Sequence, residues 1–332
     1  MKQFQLPSRI RLANLPTPIE PATRISREWG ANIFIKRDDL TGSELSGNKV
    51  RKLEFVIAEA QKNGADVLIT CGGLQSNHAR ATAVAAAKLG IRSYLVLRGE
   101  PSAINDGNIL IDHLVGAQIR YISAEDYAAR VDEIMEQSAA ELSQQGYCPF
   151  IIPEGASNAL GAFGYIEATR EIATQLRQMK INIDYLVIAT GSGGTQAGLI
   201  IGRKLFNQSY RVLGINVCDD QSFFVNKIGR ICNDAIDQYQ IPVAVSAADI
   251  EIIDGYVGEG YALNRPQEIE LIREIAAVEG VIFDPVYTGK AMFGLREQIL
   301  QARFRKTDNI LFIHTGGLFG IFPKKELFSS SG

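Results

Sequence analysis

The strongest constraint on how this chain can fold is a recurring alternation of short apolar runs with longer helical stretches. Asp66–Cys71 holds the run Val-Leu-Ile-Thr, and an alanine-rich helical stretch follows from Asn77 to Leu89, closed by Gly90. Ser93–Leu97 repeats the strand pattern, Asn105–Val115 the helical one, and Gln118–Ile122 is a third strand. Ser123, with Asp126 three positions on, starts a long amphipathic helix that runs to about Gln145. Pro149–Ile152 is a further strand, and Ile183–Thr190 is the strongest strand of all. A glycine cluster, a helix over Thr195–Phe206, the strand Arg211–Val217 and the strand Asn309–His314 complete the pattern. Apolar strands that alternate with helices must be covered on both faces, which parallel sheets require. The expectation is an α/β protein of two doubly wound, mainly parallel-sheet lobes. No Pro- or Ser-rich linker marks a boundary, which is placed near residues 155–165.

Length and charge narrow the function. A chain of 332 residues can bury two cores. A net charge of -3 and the lack of any basic run exclude nucleic acid and anionic membrane as expected partners. The first twenty residues carry no apolar core of signal-peptide length and no window approaches a membrane span, so a cytoplasmic address is expected. Cys71, Cys148, Cys218 and Cys232 form no CxxC pair and read as reduced, mostly buried residues. His78, His113 and His314 lie at unrelated spacings, so no metal site is expected. The only low-complexity segment is a Ser/Gly tail at Ser329–Gly332.

Thr190–Gly198 reads T-G-S-G-G-T-Q-A-G between a strong strand and a helix. Such a unit aims several backbone N–H groups and the positive helix end at one point, and glycines let an anion approach closely. Gly191, Ser192, Gly193, Gly194 and Thr195 therefore read as a phosphate cradle, against the plainer reading of a tight turn. A dinucleotide fingerprint would need glycine at Gln196, and a Walker loop would need lysine where Leu199 stands. A lone phosphate monoester fits better than a nucleotide.

Ser46-Gly47-Asn48-Lys49 leads into a helix whose apolar face is Leu53, Val56, Ile57 and Ala60. Lys49 could be a solvated charge, but cations are disfavoured at helix N-termini, and Lys49, Arg51 and Lys52 crowd this one. A lysine held in a desolvated, cation-flanked site has a lowered pKa and can condense with an aldehyde. One cofactor answers both signals, the amine and the phosphate cradle: pyridoxal 5'-phosphate. A third loop, Gly72–His78, again joins strand to helix. Its N–H groups and the Ser76 and Asn77 side chains suit a second anion, here an amino-acid carboxylate, although the same residues would serve a plain turn as helix caps. Bland readings suit Cys71 (packing), His113 (structural), His314 (a hydrogen-bonded strand end) and Asp38 and Asp39, which brace a nearby Arg or Lys.

The segments LPTPIEPATRIS, IKRDDLTG, GNKVRKLEF, QSNHARATAVAAAKLG, SNALGAFGY, TGSGGTQAGL, DPVYTGKAM and FIHTGG, in that order, span nearly the whole chain. Together they resemble the D-cysteine desulfhydrase and 1-aminocyclopropane-1-carboxylate deaminase group of fold-type II pyridoxal-phosphate enzymes. The resemblance implies a tryptophan synthase β-like fold, with a large cofactor-binding domain from residues 1–52 plus 161–332 and a small domain from 53–160. It also implies a homodimer acting on a small amino acid. By motif, Lys49 matches the lysine that carries the cofactor aldehyde. Ser76, Asn77 and His78 match the carboxylate loop, with Asn77 also near the cofactor ring, and Gly191–Thr195 match the phosphate loop. Tyr287 and Tyr261 match the active-site tyrosines.

Two positions separate the branches of the group. Deaminases of this kind generally carry an acidic residue after the tyrosine of DPVY and leucine where this chain has Thr315; here Thr288 and Thr315 follow the desulfhydrase-like pattern. A carboxylate beside the pyridine nitrogen would keep the ring a strong electron sink, whereas a threonine hydroxyl does so weakly. The weak sink favours departure of a good β-leaving group such as a thiolate, so D-cysteine is the expected substrate. Opening a cyclopropane offers no such leaving group. Ala156 and Phe319 stand where glycine and proline are expected, which bears on pocket shape. Competing readings are deamination of 1-aminocyclopropane-1-carboxylate, sulfite elimination from a cysteate-like substrate with an added cation, and a non-catalytic binding protein that kept its cofactor.

Overall fold

The computed structural model describes residues 4–101 and 105–329. The end of the Ser/Gly tail, and the first three residues of the N-terminal segment, lie outside that range. The alternation resolves into two sheets. The larger has six strands, in the order β1 (Ile19–Pro21), β2 (Asn32–Lys36), β10 (Asn309–Ile313), β7 (Tyr185–Thr190), β8 (Arg211–Asn216) and β9 (Glu251–Ile253). All pair in parallel except β1 with β2. The smaller sheet is wholly parallel, with β5 (Gln118–Ile122), β4 (Arg92–Arg98), β3 (Val67–Gly73) and β6 (Pro149–Ile151) side by side. The α/β class and the doubly wound, parallel arrangement read from the sequence are what is found.

Burial on both faces explains the near-continuous apolar strands. In β7, Leu186 and Ile188 pack under α6 (Phe163–Met179), α7 (Gly194–Leu205) and α8 (Gln221–Tyr239). Val187, between them, faces the opposite layer of α1 (Thr23–Trp29), α9 (Pro266–Glu279) and α10 (Thr288–Leu300). The small sheet repeats the scheme: Leu68 packs against α2 (Asn48–Lys62) and α3 (Asn77–Lys88), and Ile69 against α5 (Ala124–Gln144). The last helix of this layer, α4 (Asn108–Leu114), packs against α3.

Local punctuation matches the reading at several points. The Ser123 hydroxyl accepts the Asp126 N–H at 3.0 Å, capping α5, and Gly90 takes the left-handed conformation just past α3. Departures have physical causes. The α5 helix is interrupted at Arg130, whose φ and ψ are -153° and 28°. The helix expected over Asn105–Val115 starts only at Asn108, because Gly107 takes a positive φ. Cys148, expected to be buried, is exposed, and so is His113.

A buried ionic cluster ties α2 to the large sheet. Arg51 donates to both Asp38 carboxylate oxygens at 2.8 and 2.9 Å and to both Glu171 oxygens at 2.9 and 3.0 Å. Tyr165 donates to Asp38, and Lys36 to Glu171, each at 2.5 Å. Asp38 thus braces an arginine and Asp39 pairs with Arg37, as the sequence reading had it. Burial opposes ionisation of Asp38 and Glu171, but the Arg51 and Lys36 charges outweigh it and hold both carboxyls below their ordinary range. Among the described residues no helix is long and apolar enough to cross a membrane.

Candidate active site

Ligands of open α/β sheets collect beyond the carboxyl ends of the strands, and here both sheets contribute such ends to one cavity of about 350 Å³. Gly73 ends β3, Arg98 ends β4 and Thr190 ends β7; Glu154, Cys218 and Thr315 follow β6, β8 and β10 closely. Of the residues singled out in the sequence, Lys49, Ser76, Asn77 and His78 line this cavity. So do Gly191, Ser192, Gly193, Thr195, Tyr261, Tyr287 and Thr315. Gly194 and Thr288 are not on its wall.

The lysine reaches the cavity because Gly47 permits it. Gly47 has φ +104°, and a Cβ there would lie 2.7 Å from the Thr315 carbonyl oxygen, so no side chain fits. The next two contacts fix the start of α2: Asn48 donates its backbone N–H to Thr315 O at 3.0 Å and its side-chain amide to Thr195 Oγ1 at 3.1 Å. Asn48 therefore joins the lysine loop to the glycine loop. Desolvation lowers the Lys49 pKa to about 8, with Lys227 acting in the same direction and Glu154 against it. A fraction of the amine is uncharged near neutral pH, as a nucleophile requires.

Behind the glycine loop lies a second lysine. Lys52 is fully buried and donates to Ser157 Oγ at 2.8 Å, and Ser157 donates to Ser192 Oγ at 2.8 Å. Burial, and then the charges of Lys49 and Lys227, push the Lys52 pKa well down. A Cβ at Gly194 would stand 2.8 Å from this ammonium, and one at Gly155 would stand 2.7 Å from Ser192 Oγ and 3.3 Å from Lys49 Nζ. Three lysines thus converge on a glycine-lined helix start. Without an anion opposite them such buried amines give up protons, as the lowered pKa values of Lys49 and Lys52 show, and an anion bound here would favour their charged forms. The phosphate of pyridoxal phosphate would fit here, with the Gly191–Thr195 N–H groups and Ser192 to hold it, Lys52 behind them through Ser157, and Lys49 in reach of the aldehyde. Gly194 contributes by its lack of a side chain rather than by facing the cavity.

The second anion loop also carries internal duties. Ser76 Oγ accepts the Ala79 N–H at 3.1 Å as the cap of α3, yet the hydroxyl keeps its own proton to donate. Asn77 Oδ1 accepts from Asn108 at 3.0 Å, which fixes its rotamer. The Asn77 and His78 N–H groups, which the Ser76 cap leaves open, have no intrahelical acceptor and suit a carboxylate. His78 is buried, and desolvation, followed by Lys49 and Lys52, holds it neutral. Its Nε2 lies 2.9 Å from Thr70 Oγ1, and Thr70 gives its own proton to Ile152 O, so the ring is committed to that network.

On the far wall the Tyr261 and Tyr287 hydroxyls are 2.5 Å apart. The Tyr287 ring rests on Gly191, where a Cβ would come within 2.7 Å of it. Burial raises the Tyr287 pKa well above the ordinary phenol value. Although 39 % of Tyr261 is open to solvent, desolvation at the hydroxyl end pushes its phenol up to about 12. Both are proton donors at neutral pH. Thr288 does not join them: its hydroxyl donates to Asp284 Oδ1 at 2.6 Å and accepts the Asp284 N–H. Cys71 lies buried in β3, where desolvation raises its thiol to about 12, and His314 is hydrogen-bonded to Ile282 O at 2.9 Å. The bland readings of both fit these positions.

Sequence reasoning missed Arg98, Tyr127, Glu154 and Lys227 on the cavity wall, and the part played by Lys52. The Arg98 guanidinium lies 5.2 and 5.8 Å from the Tyr127 and Tyr261 ring centres, on the substrate side near Gly73. Tyr127 donates to Glu154 at 2.7 Å. Arg98 and Glu154 were findable, since each stands at or just past a strand's carboxyl end.

Comparison with known proteins gives the family. A sequence profile of pyridoxal-phosphate dependent enzymes matches residues 10–316. A putative 1-aminocyclopropane-1-carboxylate deaminase of Thermotoga maritima is 44% identical over 96% of this chain and 99% of its own. A mitochondrial bifunctional D-cysteine desulfhydrase/1-aminocyclopropane-1-carboxylate deaminase of Arabidopsis thaliana is 42% identical, over 98% of this chain and 82% of its own. A crystal structure of an ACC deaminase homologue superposes with a TM-score of 0.89 at 39% identity, covering 97% of this chain and 96% of that one.

Proposed function

The chain belongs to the pyridoxal-phosphate-dependent enzymes, and on that premise we propose that it catalyses β-elimination from D-cysteine, yielding pyruvate, sulfide and ammonia with uptake of one water. Bound to the substrate nitrogen, the cofactor supplies an electron sink that acidifies the α-carbon. The protein's own groups supply the rest. Ser76, Asn77 and the α3 N-terminus hold the carboxylate, which fixes the α-carbon relative to Lys49. The Lys49 amine, with its lowered pKa, is the base for the α-proton. The Tyr261–Tyr287 pair keeps its protons at neutral pH and can protonate a departing sulfur.

The observation that carries this reading is Thr315. It stands on the cavity wall, its carbonyl bonded to the lysine loop, and its side chain is an uncharged alcohol; Thr288 is turned away onto Asp284. Neither position offers the carboxylate that would strengthen the electron sink, so a substrate with a good leaving group is favoured. Arg98 supports a second reading, elimination of sulfite from a cysteate-like amino acid, because a substrate-side cation suits a sulfonate. The test supplies D-cysteine, L-cysteine, cysteate and 1-aminocyclopropane-1-carboxylate separately and assays sulfide, sulfite, pyruvate and 2-oxobutanoate. Sulfide and pyruvate in equal amounts from D-cysteine are expected. Production of 2-oxobutanoate without sulfide would overturn the reading in favour of deamination.

A further inference from the structure

The segment between β9 and α9 carries Tyr261 on a backbone with little regular structure of its own. Gly255, Gly258 and Gly260 take positive φ values, and Ala262, directly after Tyr261, sits at φ +61°, a conformation that a side chain disfavours. Something outside the segment must hold it. Two lysine ammonium groups do so from either side of Tyr261. Lys290 donates to Val257 O at 2.5 Å and to Gly260 O at 2.9 Å. Lys324 donates to Ala262 O and, at 2.8 Å, to Asn264 Oδ1. Asn264 in turn donates to Pro285 O at 2.5 Å, two residues before Tyr287.

Lys290 lies in the first turn of α10, the helix at whose start Tyr287 stands. One rigid element therefore positions Tyr287 directly and Tyr261 through an ammonium bridge. We infer that Lys290 and Lys324 are positioning residues that clamp the 255–264 segment and set the 2.5 Å contact between the two tyrosine hydroxyls. The inference rests on the reading that Tyr261 faces the reacting substrate, and extends it by naming what holds that residue there. Point charges suit this clamping, since each ammonium engages two oxygens without demanding a fixed plane, and carbonyls flanking one residue fix the orientation of its peptide units.

The test uses the cofactor-loaded protein and Lys324→Met, at a half-buried position; Lys290→Met is the second variant. Hydrogen exchange over residues 255–264 should quicken about tenfold in each, the equivalent of one lost charge-assisted bond, with the β3 amides unaffected. Turnover of whichever substrate the native protein accepts should fall about 10- to 100-fold, as expected for a displaced catalytic group. Lys324→Arg, which can still donate to the carbonyls, should keep most of it. In a Tyr261→Phe background the further loss from Lys324→Met should shrink below about twofold, because the clamp would have no hydroxyl left to place. Unchanged exchange in both methionine variants, or the same fold-loss with and without the Tyr261 hydroxyl, would overturn the clamp. Exchange is read without substrate, so a native protein inert towards every amino acid tested would sink the proposed activity and still leave the clamp decidable.

Discussion

A lysine becomes a nucleophile when its surroundings penalise the ammonium more than they help it. At Lys49 the penalty is desolvation, assisted by Lys227 and opposed by Glu154, and the result is a pKa of about 8. Uptake of pyridoxal phosphate by the cofactor-free protein should therefore speed up as pH rises through about 8 and level off above it, followed by the growth of visible absorbance. Glu154→Gln removes the one opposing charge and should move that midpoint down; a midpoint near 10 would mean that the amine is solvated. Lys49→Ala should abolish turnover and leave no borohydride-fixed adduct at this position. Arg98→Leu separates the two elimination readings. A sulfonate is charged before reaction and a thiol mostly is not, so loss of this cation should raise KM for cysteate more than for D-cysteine, by about 1.5–3 kcal/mol of charge-assisted bonding. Lys49 and the glycine loop were legible because each sits in a motif between elements of known type. Arg98 and Lys227 were not, because a single charge has no local signature and only the strand register or a helix face places it in the cavity.

Helix α2 delivers Lys49, and its position depends on two contacts that the sequence records only in part. One is close packing of helices: a Cβ at Gly164 would lie 2.6 Å from the Arg51 carbonyl, and one at Gly198 would lie 2.3 Å from the Ala162 carbonyl. The other is the Asp38–Arg51–Glu171–Lys36 cluster, which the pairing of KRDD with a nearby cation foreshadowed without naming Glu171. Arg51→Met strands two buried or half-buried carboxylates and should cost about 3–5 kcal/mol, read from urea unfolding. The pH dependence has a definite sign. Asp38 and Glu171 have folded pKa values below their unfolded ones, so their contribution is fully present above the unfolded range and is lost as pH falls through the folded values. The acid-induced loss should be shallower in Arg51→Met; equal slopes for both proteins would remove the cluster from that role. Long apolar strands such as β7 were visible in the sequence, whereas β1 and β9, of three residues each, are too short for a period to show.

Over the whole molecule the chain builds part of the large sheet, leaves to make the small one, and returns, so that one cavity receives strand ends from residues far apart in sequence. Alternation of strands and helices gives the layers but not which strand joins which sheet, since parallel pairing leaves no mark in hydropathy. The division into 53–160 against 1–52 plus 161–332 is accordingly a proposal, open to test by limited proteolysis near its boundaries. The shared cavity makes stability depend on the cofactor. Its glycine-loop end gathers Lys49, Lys52 and Lys227, and burial together with mutual repulsion penalises the charged forms of the first two. An anion that binds the folded state relieves that penalty and adds its binding free energy, about 4 kcal/mol at a thousandfold excess over Kd. Removing pyridoxal phosphate should lower the thermal midpoint by several degrees, and inorganic phosphate should restore part of the loss while chloride at equal ionic strength should not. In Lys52→Met a buried amine whose charged form is penalised is gone, so the cofactor-free variant should be at least as stable as the cofactor-free native protein and gain less from phosphate. A native protein whose midpoint ignores phosphate, or a variant that gains as much from it, would show that the anion is held elsewhere than between Lys52 and the glycine loop.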